Sequence, residues 1–218
     1  MTLPLQKTLT LSLAAAQATG ICLSQAGSAG TALTINGSLA SSGVATMDTA
    51  RRIIITSAGN DQNCTFTIVG TDYYGRAATS TVQGANAGAA QSSKDFLTVT
   101  SVTPSIATAA NVTVGTNGVA STPPHVLDTV TNPANVSIAG IVISGSATYS
   151  IEQSYDDLAP SWDFTNNPPT WFPTGVANQG VNASASLNSP ANMIRLTILS
   201  GTGQVQARII QNFRAGAF

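Results

Sequence analysis

A chain of 218 residues with 43% hydrophobic side chains is long enough for one large β-domain or two of about 100 residues each. Only 8% of its residues are charged, against roughly 25% in an ordinary soluble domain, and the formal net charge is −1. This combination excludes the disordered class, which joins low hydrophobicity to high net charge. It also argues against nucleic-acid binding, which needs a clustered basic face.

At the N-terminus, Leu9 to Ala16 reads LTLSLAAA after Lys7, a weak likeness to a signal peptide, and Thr19-Gly20-Ile21-Cys22 hints at a lipoprotein signal. The apolar run is short and broken by Thr10 and Ser12, and Ile21 is too large for the position before a lipidated cysteine. Residues 5–24 are therefore expected to be β-structure. Ala32 to Gly37 alternates and ends in an Asn-Gly turn. The β-branched run Arg52 to Thr56, the turn cluster Ser57 to Asn63 and the alternating run Cys64 to Val69 together predict a hairpin. Gly70 to Gly75 reads as the next turn and Ala77 to Val82 as a returning strand. Phe96 to Val102 and Val112 to Val114 add two more strands around a loop containing Pro104.

Residues 115–134 are rich in Gly, Thr, Asn and Pro and read as a linker region. Beyond it, Val136–Ile138, Ile141–Ile143 and Ala147–Ile151 read as strands, and residues 156–190 as a long irregular stretch. Met193 to Ser200 and Gln204 to Gln211, flanking Gly201-Thr202-Gly203, predict a second hairpin. Helix signals are confined to Ala14–Ala18 and Ala85–Ala90, both interrupted. The expected fold is all-β, as two sandwich domains of Ig-like or jelly-roll-like type in tandem: 1–120, a linker at 121–134, and 135–218. Arg52 to Gly59 parallels Arg195 to Gly201, which either a tandem duplication or convergence on good turn chemistry explains.

The residues that carry chemistry are few. His125 is the sole histidine; Asp128 follows it, but no G-x-S-x-G elbow is present, so a linker histidine is the expectation. Among nine carboxylates, Glu152 with Asp156 or Asp157 is the closest pairing, and solvated turn acids outweigh a glycosidase pair there. Asn60 to Asn63 and Asp72 offer oxygens to calcium but serve equally as turn residues. Cys22 and Cys64 admit a disulfide or two buried small hydrophobes. Neither cofactor nor metal is expected. Five Asn-x-Ser/Thr triplets, at Asn36, Asn63, Asn111, Asn135 and Asn182, are what an Asn-, Ser- and Thr-rich chain contains by chance. Trp162, Phe164, Trp171 and Phe172 lie in the Pro-rich stretch. They admit three readings: a sugar platform, an anchor into a neighbouring subunit, or a cap on their own domain. Phe213 and the terminal Phe218 would also suit docking into a partner.

Ile53 to Asp61, Phe66 to Asp72, Phe96 to Val102 and Val114 to Thr116 resemble a group of small tailed-bacteriophage virion proteins in style and order. Further matching stretches are Tyr149 to Glu152, Tyr155 to Asp157, Ile194 to Thr197 and Ser200 to Gly203. The resemblance spreads over most of the chain without a sharp motif and carries over no functional residue. It implies a non-enzymatic component of the virion, assembled in the bacterial cytoplasm. The first expectation is a capsid decoration or cement protein that contacts the major capsid protein and its own copies, with no nucleic-acid or membrane partner. The alternatives are a tail or head–tail connector component and, in another class, a glycan-binding surface or tail-fibre module.

Overall fold

The computed structural model describes residues 5–128, 135–156, 168–187 and 191–212. Among these there is no α-helix, and the chain is all-β. The strands, in order, are β1 (Leu5–Leu13), β2 (Cys22–Gln25), β3 (Ala40–Ser41), β4 (Val44–Asn60) and β5 (Thr65–Thr71). There follow β6 (Ala77–Gln83), β7 (Asn86–Pro104), β8 (Val112–Ser121), β9 (His125–Val126) and β10 (Asn135–Gly145). The last are β11 (Thr148–Ser154), β12 (Phe172–Pro173), β13 (Ala183–Leu187), β14 (Met193–Ser200) and β15 (Gly203–Asn212). They form two compact units: Ala14–Ala120, and β1 together with the described residues from Ser121 onward.

In the first unit the strand order is β8-β4-β7-β5-β6, antiparallel, with β2 on β8 and β3 on β4. The period-two alternation of β5 and β6 sends Phe66, Ile68, Ala78 and Val82 inward, where they meet Ile53, Ile55, Phe96, Val99 and Val114. Each large apolar side chain buried this way contributes about 1.5–3 kcal/mol. The long strands β4 and β7 slip register between Thr46 and Arg51, between Arg52 and Ile54, and between Ser57 and Asn60. Irregularities of this kind let long strands bend around a core. The β5–β6 connection is the turn expected at Gly70 to Gly75. Asp72 Oδ1 accepts from the Tyr74 and Arg76 amides, and Gly75 takes φ +75°.

Several sequence expectations fail here for identifiable reasons. Arg52–Thr56 and Cys64–Val69 are both strand, but they do not form a hairpin, because β7 lies between β4 and β5 and pairs with each. Ala32 to Ile35 is not a strand: the Leu33 amide reaches the Val102 carbonyl, but at Thr34 the Gln25 carboxamide takes both backbone groups, accepting from the amide and donating to the carbonyl. Gly115 to Ser121 belongs to β8, not to a linker. Its glycine serves close approach, since a Cβ at Gly115 would lie 2.0 Å from the Gln17 carbonyl oxygen. Residues 5–13 and 22–25 are strand as expected, whereas 14–21 are not.

In the second unit, β1-β15-β10-β13 form one antiparallel sheet, and β14 pairs with β11 and β9, with β12 on β11. Leu9, Leu11 and Leu13 of β1, Val136 and Ile138 of β10, and Val205, Ala207 and Ile209 of β15 are buried, while Thr8, Thr10 and Arg208 are exposed. Tyr149 of β11 packs on β10 at Gly140, where a Cβ would meet its ring at 2.2 Å. The second expected hairpin is also absent: β14 and β15 follow one another around Gly201 (φ +88°) and Gly203 (φ +122°), then enter different ladders. Domain limits shift accordingly from 1–120 and 135–218. β1 leaves the N-terminal part because its nine residues pair with β15, and Thr122 and Leu127 are held by backbone bonds to Leu196 and Asn192.

Candidate functional site

β11 and β14 set Glu152 directly opposite Arg195. Arg195 Nε donates to Glu152 Oε2 at 2.6 Å, and Thr197 Oγ1 donates to the same oxygen at 2.7 Å. The other side of the guanidinium is occupied by an aromatic ring, with Cζ 4.4 Å from the Trp171 centroid. β12 pairs with Gln153 and Glu152 and brings the next residue, Phe172, out to 45% exposure. Phe172 tilts against Tyr155 with centroids 5.8 Å apart, and Tyr155 is itself 43% exposed. The result is an aromatic step, Trp171–Phe172–Tyr155, braced by an ion pair beneath one ring.

In this arrangement the polar groups are engaged with one another and with the backbone. Glu152 spends one oxygen on two donors, and Asp156 accepts from the Thr170 amide at 2.5 Å. Of the other expected anchors, Trp162, Phe164, Phe213 and Phe218 lie outside the described residues, as does Asp157. Arg195 and Tyr155 were not singled out as anchors from sequence. Their signal is register: only once β11 and β14 are paired does Glu152 face Arg195, and Arg195 then covers Trp171. The same device recurs on β4 and β7, where Arg52 Nε donates to Asp95 Oδ1 at 2.7 Å across the ladder.

The remaining candidates lie apart from this cluster. His125 sits on β9 opposite Ile194 in a shallow cleft of about 270 Å³ shared with Lys7, Thr8, Thr10, Pro123 and Pro124. Burial, and then the Lys7 ammonium, hold its imidazole below the ordinary histidine range. Asp61 Oδ1 accepts from the Ala109 amide of a separate loop at 2.7 Å, whereas Asn60 Oδ1 accepts from the Gln62 amide within its own turn. Among the described residues no three His, Cys, Asp or Glu side chains gather as metal ligands. Both thiols are buried and unpaired, which overturns the disulfide reading, and burial pushes the Cys22 thiol up to about 12. Such a thiol is an inert core group.

One open surface completes the inventory. A groove of about 560 Å³ crosses the outer face of β15, β10 and β13, lined by Ser137, Ile141, Ser184, Ser186, Arg208 and Ile210. Its single charged group is Arg208, so it offers contact area without an acid–base pair. Among the described residues, no helix is long and apolar enough to cross a membrane. Comparison with protein-family models, curated proteins and solved structures finds no match in any of the three.

Proposed function

We propose that this chain is a non-enzymatic structural subunit of a tailed-bacteriophage particle, a capsid decoration protein built as two tandem β-sandwiches that binds across capsomer boundaries. The observation that carries the reading is its surface chemistry. With 8% charged residues and a net charge of −1, the chain has little charge to place on its exterior, which leaves Ser, Thr, Asn, Gln and apolar groups to supply most of it. Charge on a free protein's surface keeps copies apart and in solution. A β-protein that lacks it is suited to lasting cover by neighbours.

Exposed apolar side chains support the same reading: Leu23, Ile106, Val126, Ile143, Phe172 and Val181 all reach solvent. Specific interfaces bury about 1,600 Å² in total, and point-group symmetry repeats that area over a shell. The partners under this reading are the major capsid protein and further copies of the chain, within a virion assembled in the host cytoplasm. The glycan-binding alternative is weakened by Arg195, which already occupies one face of the Trp171 ring.

Electron microscopy of intact particles, with a label fused to this chain, tests the proposal. Hundreds of copies per particle in the capsid lattice are expected. Six or twelve copies at one vertex would replace decoration with the tail or connector role. Absence from purified particles would end the virion reading altogether.

A further inference from the structure

We propose that the cleft between β1 and the Thr122–His125 segment is a binding site for a short monocarboxylate, its head group held between the Lys7 ammonium and the His125 imidazole. The site lies within the second unit alone and does not depend on the particle reading. Four consecutive residues of β1, Lys7 to Thr10, line the cleft, so it runs along the strand's edge and not over one face. β15 holds the opposite edge, and among the described residues no strand pairs with this one. An unpaired edge presents backbone N–H groups to whatever lies beside it. The facing wall does not close the gap as a strand would, because Pro123 and Pro124 have no N–H to give to a ladder.

The polar groups around the cleft are donors. Period-two alternation puts Lys7 on the leucine face of β1, yet there it is exposed. Thr122 is buried and accepts from the Leu196 amide at 3.0 Å through Oγ1, which leaves its O–H to donate. His125 is fixed on β9 opposite Ile194, and Arg195, next along β14, is committed to Glu152. Lys7 is the charge that acts on His125, and Asp128, close by in sequence, is not part of the cleft wall. An ammonium and an imidazole thus share one space with no carboxylate in its walls. With the imidazole held below the ordinary histidine range, the cleft carries one positive charge near neutral pH, which a monoanion matches. Its volume of about 270 Å³ falls below the roughly 300–1,000 Å³ of sites for drug-sized ligands, so the ligand is small. Leu9, Pro123 and Pro124 offer apolar surface to a short alkyl stem. A lysine that served only to block edge-to-edge pairing of β1 would show no preference among anions.

His125 is the sole histidine, so its ring proton resonance reports on the cleft without ambiguity. The full chain is titrated with pH by proton NMR in sodium butyrate and in sodium chloride, each at about 0.1 M, where both salts screen Lys7 from His125 alike. A bound carboxylate favours the imidazolium, so butyrate should raise the His125 midpoint by about 1 over chloride. K7Q should abolish that difference and K7R should keep most of it; Lys7 is exposed, so neither change touches the core. N-acetylglutamate amide stands in for an acidic side chain of a neighbouring protein, and should act more weakly than butyrate because its blocked backbone overfills the cleft. Equal midpoints in butyrate and chloride overturn the proposal. A butyrate effect that survives K7Q overturns it equally, and a stronger effect from the glutamate derivative replaces the small ligand with a partner's side chain.

Discussion

Arg51 is the largest fully buried side chain, at 2% exposure, and its charge has one carboxylate partner, Asp48 Oδ1 at 2.9 Å. Burial pushes the Asp48 carboxyl up, but the Ala14 amide and the Arg51 guanidinium together outweigh it and hold the group below the ordinary carboxylate range. A carboxyl depressed in the folded state contributes stability above its unfolded pKa of about 3.9 and loses it as pH falls through the folded value. Thermal melts from pH 7 downward should therefore show a fall in Tm below about pH 4 that D48N lacks. At pH 7, D48N should cost about 2 kcal/mol, because it leaves a buried guanidinium without its anion. Equal stability of the two proteins in denaturant titrations would sink this account of the Arg51–Asp48 pair. Arg195 makes a separate prediction, since its guanidinium both pairs with Glu152 and stacks on Trp171. R195K keeps the charge but loses the flat stacking face. It should shift the tryptophan emission and cost about 1 kcal/mol, while an unchanged spectrum would mean that the ring does not rest on the guanidinium.

Strands were legible in the sequence wherever side chains alternate; their partners were not. β5, β6 and the Asp72 turn follow directly from period-two burial and Asx chemistry, both local properties. β4 and β5, or β14 and β15, look like hairpins because a turn sits between two good strands, yet each strand found a longer-range partner. Pairing depends on which ladder buries more, and that is decided by residues far away, such as the 19-residue β7 that pairs with both β4 and β5. The candidate site was half legible for the same reason. Trp171 and Phe172 stand out by residue type, whereas Arg195 and Tyr155 join them only through the β11–β14 and β11–β12 registers. Glycine misled in the region read as a linker, where Gly115 lies inside β8 against the Gln17 backbone. G115A should cost about 3 kcal/mol, since a carbonyl oxygen cannot move aside as a side-chain tip can. G88A on β7 meets nothing closer than 3.7 Å and should be neutral or gain up to about 1 kcal/mol. Chemical denaturation of the pair checks this, and equal losses would show that strand glycine, not close approach, sets the effect.

At the scale of the whole molecule, the proposed role in a particle makes a prediction about salt, because charge is scarce. Arg51, Arg52 and Arg195 are each committed to a carboxylate in the same chain, which leaves fewer of an already small set of charges to act outside it. Steering by a field needs unneutralised charge of one sign over a face, and a net charge of −1 over 218 residues supplies none. What remains is burial of apolar surface and hydrogen bonds from Ser, Thr, Asn and Gln, neither of which is screened by mobile ions. Binding to particles stripped of this chain should accordingly change less than about threefold between about 0.05 and 0.5 M sodium chloride, a range over which the Debye length falls about threefold. Sulfate at the same ionic strength should tighten binding, because excluded salts favour removal of apolar surface from water. Rebinding followed by sedimentation across both salt series measures the effect. A tenfold loss in sodium chloride would mean that charged groups hold the contact, and the low-charge surface would then lose its place as the basis of assembly.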